Sequence, residues 1–165
     1  MKACALTGHR PEKLPFGGDE SDPRFEQFKQ KLLCEILRIT REGVTTFISG
    51  MARGVDIWAA ETVLSLKAIL PSRNIKLWVA IPYDRQSLNW TVQEQARYQK
   101  ILEKADKVEY VSHDYFNGCL QKRNRYMIDA ASHLIAVYDG VQKGGTKYTI
   151  DYARKKGLEI IEIQP

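Results

Sequence analysis

The chain has 165 residues, of which 44% are hydrophobic, and this is the size and apolar content of one globular domain. Its formal net charge is +5, but Lys and Arg are interspersed with Asp and Glu, which favours an anionic ligand and is weak evidence for nucleic acid. Cys4, Cys34 and Cys119 are widely separated and indicate neither a disulfide framework nor a zinc motif. The apolar amino end stops at Gly8, too early for a signal peptide or membrane span, so we expect a cytoplasmic protein without membrane contact.

Strand-like and helical patterns alternate along the chain. Apolar segments predict strands at residues 3–7, 46–49, 76–81, 107–111, 133–138 and 159–163. A first helix has apolar residues at helical spacing from Phe25 to Leu37 and ends near Gly43. Further helices are predicted at residues 55–70, 91–104, 120–131 and 147–156. This alternation predicts an α/β fold in one domain over residues 1–165, with a three-layer, doubly wound, mainly parallel sheet of Rossmann-like type.

Ligands of such a sheet bind beyond the carboxyl ends of its strands, so the residues that follow each strand are the candidates. After the first strand, Gly8 allows close approach to a ligand, and His9 and Arg10 offer donors for a phosphate or carboxylate; alternatively Arg10 is merely solvated. Residues 12–23 and 82–89 form either lids over this edge or plain surface loops. Near the second loop, Tyr83 and Trp90 either stack on a base or pack in the core or at its rim.

The turn after the second strand gives the strongest signal in the chain. Two glycines four residues apart lead directly into a helix, an arrangement in which backbone amides and the helix dipole converge on an anion such as phosphate. The turn matches neither the dinucleotide fingerprint nor the Walker A motif. Asp56 either interacts favourably with the helix dipole, as first-turn acids commonly do, or accepts a hydrogen bond from a ligand hydroxyl. The candidate ligand-binding residues here are Ser49, Gly50, Met51, Ala52, Arg53, Gly54 and Asp56.

A second glycine turn follows the fifth strand and points to the same edge. Gly144 and Gly145 expose amides, Thr146 either caps the next helix or reaches a phosphate oxygen, and Asp139 ends the strand. In the fourth helix, Asn124 is placed on the apolar stripe, where it either bonds to a neighbouring loop or faces the ligand. Arg123 beside it is a further candidate.

No constellation for nucleophilic catalysis or metal binding is visible. The sequence shows no G-x-S-x-G motif, no histidine-rich metal spacing and no carboxylate pair with an obvious shared site. His133, at the start of a strand, is expected to be a structural histidine. His113 and Asp114 are adjacent in the sequence, and we expect this adjacency to have no functional role. We therefore expect no metal and no cofactor, and assign no catalytic residue.

Four ordered motifs together resemble the SLOG superfamily, and most nearly its YpsA-like branch. They are Thr-Gly-His-Arg-Pro at 7 to 11, Ser-Gly-Met-Ala-Arg-Gly-Val-Asp at 49 to 56, Arg-Asn-Arg-Tyr-Met at 123 to 127 and Gly-Gly-Thr at 144 to 146. The resemblance implies a Rossmann-like fold related to DprA and to the lonely-guy phosphoribohydrolases. It implies a nucleotide site lined by Gly8, Arg10, Ser49, Gly50, Gly54, Asp56, Asn124, Gly144, Gly145 and Thr146.

The chain departs from the phosphoribohydrolase pattern at a point that matters for catalysis. Those enzymes carry P-G-G-x-G-T followed closely by a catalytic glutamate, whereas here no glutamate follows the Gly-Gly-Thr until Glu159; Asp151 is a weak substitute. The favoured hypothesis is therefore binding or sensing of a nucleotide or nucleotide-derived small molecule. Hydrolysis of a nucleoside monophosphate and DprA-like binding of single-stranded nucleic acid are the alternatives, the latter not favoured. A homodimer is left open, since related proteins are often dimeric.

Overall fold

The computed structural model describes residues 2–165. The strands are β1 (Lys2–Gly8), β2 (Val44–Ser49), β3 (Lys76–Ile81), β4 (Lys107–Tyr110), β5 (His133–Val137) and β6 (Glu159–Ile163). The helices are α1 (Pro23–Arg41), α2 (Val55–Ile69), α3 (Val92–Lys104), α4 (Cys119–Asp129) and α5 (Gly145–Lys156), with short 3-10 turns at Pro11–Lys13 and Pro71–Arg73. The predicted order of elements is confirmed, with boundaries shifted by a few residues.

One parallel sheet runs through the molecule in the order β4-β3-β2-β1-β5-β6. β1 lies in the middle, with Ala5 opposite Ile48 of β2 on one side and Leu134 of β5 on the other. The chain first winds outward through β2, β3 and β4, then returns to the far side of β1 and continues through β5 and β6. This reversal creates a crevice between β1 and β5 at the carboxyl edge of the sheet.

The two faces of the sheet bury different side chains because neighbouring strand residues point to opposite sides. Cys4 and Leu6 of β1 belong to the core beneath α1, α2 and α3, where Phe28 and Trp58 pack edge to face with ring centroids 6.0 Å apart. Ala3 and Ala5 belong to the smaller core beneath α4 and α5. The result is the predicted three-layer arrangement.

Local sequence signals determine where the longer helices begin. The carboxylate of Asp22 accepts from the Arg24 amide at 2.8 Å, which caps α1 immediately before Pro23. At α3, Thr91 and Glu94 form a reciprocal capping box. None of the helices within residues 2–165 combines the length and apolarity needed to cross a bilayer.

Candidate functional site

A hollow of about 310 Å³ opens in the crevice between β1 and β5. It lies among the turns that follow β1, β2 and β5 and the first two turns of α4. Several predicted ligand-binding residues line it together: Gly8, His9, Arg10, Ala52, Asp56, Arg123, Asn124, Gly144, Gly145 and Thr146. The two glycine turns that the sequence singled out thus meet at one concave surface.

Thr7, Lys13, Leu120, Gln121 and Lys143 also line the hollow, although they were not among the predicted residues. Lys13 lies at the hollow because the segment after β1 bends back over the crevice through the Pro11–Lys13 turn. The interpretation of residues 12–23 as a cover for this edge was the signal that could have found Lys13. Lys143 precedes the second glycine turn directly, so its proximity to that turn was the corresponding signal.

The turn after β1 packs tightly against the start of α2. A Cβ added at Gly8 would lie 2.6 Å from Cγ1 of Val55, so the position has no room for a side chain. His9 is buried, and its Nε2 lies 3.0 Å from Oδ1 of Asp139. The Val141 amide and His9 hydrogen-bond the Asp139 carboxylate, holding its pKa below the ordinary value. Asp139 therefore supports His9 and does not itself line the hollow.

The turn after β2 is held in shape by its own side chains. The Ser49 hydroxyl donates to the Asp56 backbone carbonyl at 2.9 Å and accepts from the Met51 amide at 3.1 Å. Met51 is fully buried with φ of 60°, a left-handed conformation that is uncommon for a non-glycine residue. The Ala52 amide donates to Oδ2 of Asp56 at 3.2 Å. Ser49 and Met51 thus form the scaffold, while Ala52 and Asp56 face the hollow.

Three other predicted residues of this turn lie behind the hollow or beyond it. Gly50 leaves space for the Arg123 guanidinium, because an added Cβ would lie 2.5 Å from its Nη1. Gly54 has φ of +87°, and a Cβ there would lie 2.9 Å from the His9 carbonyl oxygen. Arg53 points to the other side, where it pairs with Glu12 at 2.6 Å and Glu94 at 2.9 Å.

Arg123 is the most unusual residue of the site. Its side chain is 4% exposed, its Nη1 donates to the Gly50 carbonyl and its Nε donates to Oδ1 of Asn124 at 2.7 Å. No carboxylate within residues 2–165 lies close enough to form an ion pair with it. Burial lowers the pKa of Arg123, and the more distant Asp56 carboxylate partly offsets this effect.

Asn124 lies at the edge of the buried side of α4. Cys119, Arg123, Met127 and Ile128 are buried, and Asn124, four residues before Ile128, is half-buried beside them. The charged Arg123 thus takes a buried position next to the predicted apolar stripe, where the spacing of apolar residues gives no signal for it. Asn124 still lines the hollow, with its carbonyl oxygen accepting from Arg123.

Asp56 is a buried acid at the edge of the hollow. Burial raises its pKa from 3.8 to about 6, although Arg123, the Ala52 amide and Arg10 favour its charged form. Asp56 is the only Asp or Glu among the residues that line this hollow in the described chain. Near neutral pH it therefore supplies a carboxylate whose Oδ2 accepts from Ala52.

The turn after β5 opens toward the hollow with little steric hindrance. Gly144 precedes α5 with φ of +100°, and no atom lies within 4 Å of a Cβ placed on Gly145. Thr146 is at the second position of α5, and no side chain caps this helix, so the capping alternative for Thr146 is wrong. The first amides of α5 have no partner within their own helix, as at every helix start.

Three exposed cations surround this turn. Arg10, Lys13 and Lys143 form no side-chain hydrogen bond or ion pair with any residue from 2 to 165. The Lys13 Nζ lies 3.5 Å from the position that a Cβ on Gly144 would occupy. Together with Arg123 they give the hollow four positive side chains against the single carboxylate of Asp56.

Other side chains considered from the sequence lie elsewhere. Asp151 is exposed and pairs with Lys147 at 2.6 Å, outside the hollow. Trp90 packs edge to face on Tyr98, with centroids 5.3 Å apart, and Tyr83 packs on Tyr115. Neither ring lines the hollow.

Comparison with known proteins agrees with the motifs. The sequence profile YpsA, which describes the YspA SLOG family, matches residues 4–162. The chain belongs to the YspA SLOG family. A UPF0398 protein of Bacillus cereus strain B4264 is 31% identical over 159 residues, covering 95% of this chain and 85% of the relative. A UPF0398 protein of Bacillus thuringiensis strain Al Hakam is 30% identical with the same coverage. The predicted resemblance is confirmed, and SLOG membership indicates a nucleotide-related binding or processing role.

Proposed function

We propose that this YspA SLOG protein binds a nucleotide or a nucleotide-derived small molecule in the hollow between β1 and β5, with the phosphate of the ligand at the amino end of α5. The observation that carries this proposal is the buried Arg123 guanidinium, which lacks an ion-pair partner within residues 2–165. A buried charge without a partner is costly, and a bound anion supplies the missing counterion.

The charge around the hollow supports the same type of ligand. Arg10, Lys13 and Lys143 surround a glycine turn whose amides begin α5, and the positive end of that helix favours a negative group. Arginine forms paired hydrogen bonds with phosphate oxygens, which lysine cannot reproduce. Arg10 is the exposed arginine of this group and is free to turn toward the ligand.

Asp56 and Asn124 provide the means to recognise the remainder of a nucleotide. A carboxylate accepts hydrogen bonds from ribose hydroxyls, and an amide both donates and accepts. A volume of about 310 Å³ is at the lower end of small-molecule sites, which span about 300–1,000 Å³. This small volume favours one small molecule over an extended strand of nucleic acid.

Binding to the intact chain would be measured by isothermal titration calorimetry against AMP, ADP, ADP-ribose and inorganic phosphate at fixed salt. At least one nucleotide is expected to bind more tightly than phosphate alone. The Arg10→Ala variant should bind that nucleotide about tenfold or more weakly, since a hydrogen bond to a charged group contributes about 1.5–3 kcal/mol. The Arg73→Ala variant, altered at an exposed turn remote from the hollow, should bind normally.

Several results would contradict the proposal. One is the absence of binding by every nucleotide at millimolar concentration. Another is equal loss of affinity in the Arg10→Ala and Arg73→Ala variants. Salt-dependent retention of single-stranded DNA without nucleotide binding would support the nucleic-acid alternative instead. Release of free base from a bound monophosphate would not contradict binding, but it would show that the same site also hydrolyses its ligand.

A further inference from the structure

A second group of chemically active side chains lies at the opposite edge of the sheet, at the amino ends of the strands. Glu42 follows the end of α1, His133 begins β5 and Glu159 begins β6. One ligand atom from each residue lies within 4.8 Å of the others. His133 pairs directly with Glu159 in the register of the sheet, so the backbone fixes their proximity.

Ser132 contacts one ring nitrogen of His133 and leaves the other facing the carboxylates. Ser132 Oγ lies 3.1 Å from the Ala3 carbonyl oxygen and can donate to it. The tautomer of His133 that carries its hydrogen on Nδ1 donates to the same Oγ, 2.8 Å away. In the neutral imidazole this leaves a lone pair on Nε2, which lies 3.2 Å from Oε2 of Glu159.

A lone pair that faces a carboxylate is repelled unless a proton or a metal ion lies between them. His133 is nearly buried, with 8% of its side chain exposed, so the carboxylate approaches its Nε2 from the solvent side. Glu42 adds a second carboxylate on the same side; Arg38 donates to its Oε1 at 2.8 Å. The other oxygen of Glu42 has no hydrogen-bond partner among the described residues.

We propose that Glu42, His133 and Glu159 form a binding site for a divalent transition-metal ion of the Zn²⁺ type. An imidazole nitrogen with two carboxylates suits Zn²⁺ better than Mg²⁺ or Ca²⁺, which prefer oxygen ligands alone. Zn²⁺ bonds of about 2.0–2.2 Å in a tetrahedron place neighbouring ligand atoms about 3.3–3.6 Å apart. The His133 to Glu159 distance of 3.2 Å is already close to this value.

Closing the site requires a small movement of flexible side chains only. Glu159 is 56% exposed and Glu42 is 46% exposed, so both carboxylates can adjust their rotamers while the backbone stays in place. The bond from His133 Nδ1 to Ser132 Oγ is the type of outer contact that orients a metal-binding imidazole. Three protein ligands leave the fourth position of the ion open to water.

The ligands are separated by 91 and 26 residues in the sequence, so no short spacing motif reveals them. The ion would join the end of α1 to the starts of β5 and β6, and it would thereby stabilise the folded chain. This site is independent of the proposed nucleotide hollow, which lies at the other edge of the sheet.

The test uses the intact chain, treated with a chelator that strips bound metal ions and is then removed. Calorimetry with Zn²⁺ alone is expected to show a single ion bound per chain and a raised melting temperature. Glu42→Gln and Glu159→Gln should each weaken Zn²⁺ binding about tenfold or more, because glutamine keeps the shape and removes the charged ligand. Glu103→Gln, at an exposed site on α3, serves as the matched control and should bind Zn²⁺ like the unaltered chain.

Two further measurements separate a true site from general attraction of cations. The Co²⁺ form should have the visible spectrum of a four- or five-coordinate ion and lose it in the two variants. The His133 ring resonances should shift on addition of Zn²⁺. Absence of Zn²⁺ binding at micromolar concentration, or binding that neither variant weakens, would overturn the proposal.

Discussion

Replacement of Asp56 by asparagine is expected to stabilise the fold at neutral pH while it weakens ligand binding. The carboxylate is buried, and burial raises its pKa from 3.8 to about 6. Asparagine keeps an oxygen that can accept from the Ala52 amide, now bonded at 3.2 Å, and it removes the buried charge.

The magnitude follows from the difference between the folded and unfolded pKa values. Between pH 3.8 and about 6, the folded protein binds the proton of Asp56 more tightly than the unfolded chain does, so stability falls as the pH rises through this window. A shift of about two pKa units corresponds to about 3 kcal/mol at most, since one unit corresponds to about 1.4 kcal/mol. This cost is fully present above pH 7 and absent below about pH 3.8.

Urea unfolding of the unaltered chain and the Asp56→Asn variant, measured from pH 4 to pH 8, would test this reasoning. The difference in unfolding free energy should be small near pH 4, increase in favour of the variant up to pH 7 and then remain constant at about 2–3 kcal/mol. Other titrating groups are common to both proteins and cancel in the difference. A pH-independent difference, or a variant that becomes less stable as the pH rises, would refute it.

Three further substitutions follow from the packing of the fold and the site. Gly54→Ala should destabilise the chain more than Gly43→Ala, as measured by urea unfolding: both glycines have positive φ, but only at Gly54 does a Cβ crowd the His9 carbonyl. An equal loss in the two variants would contradict this. Phe28→Ala should lower the unfolding free energy by about 3–5 kcal/mol, because the ring is buried among Phe16, Phe25 and Trp58; a loss below about 1 kcal/mol would show that this cluster is loosely packed. Gly145→Asp should keep the melting temperature and abolish nucleotide binding in calorimetry, because a Cβ there meets no atom within 4 Å while the new carboxylate repels phosphate; Gly18→Asp, at an exposed loop, is its control, and retained binding in the Gly145 variant would contradict the assigned phosphate position.

The sequence predicted the order and parallel pairing of the elements because each depends on local patterns. Continuous apolar runs such as residues 134–137 identify strands covered on both faces, and the stripe from Phe25 to Leu37 identifies a helix that covers one face of the sheet. Once the strands are known to be parallel, the rule for carboxyl edges brings Gly8, Ala52 and Gly145 together.

The remainder of the site depended on features that periodicity does not contain. Arg123 occupies an apolar position of α4 with its charge buried, which is rare for arginine and gives no apolar signal. Lys13 reaches the hollow only because the chain bends back after β1. The inward direction of Asp56 and the outward direction of Arg53 depend on hydrogen bonds to Ala52, Glu12 and Glu94, which form only in the folded chain.

Amide NMR spectra of the isotope-labelled chain, recorded during titration with the nucleotide that binds most tightly, test the account most directly. The largest shifts are expected for the amides of Gly8, Ala52, Gly145 and Thr146, together with the guanidinium of Arg123. Shifts confined to another surface, such as the groove between α2 and α3, would contradict the proposed site, as would a spectrum that no nucleotide alters.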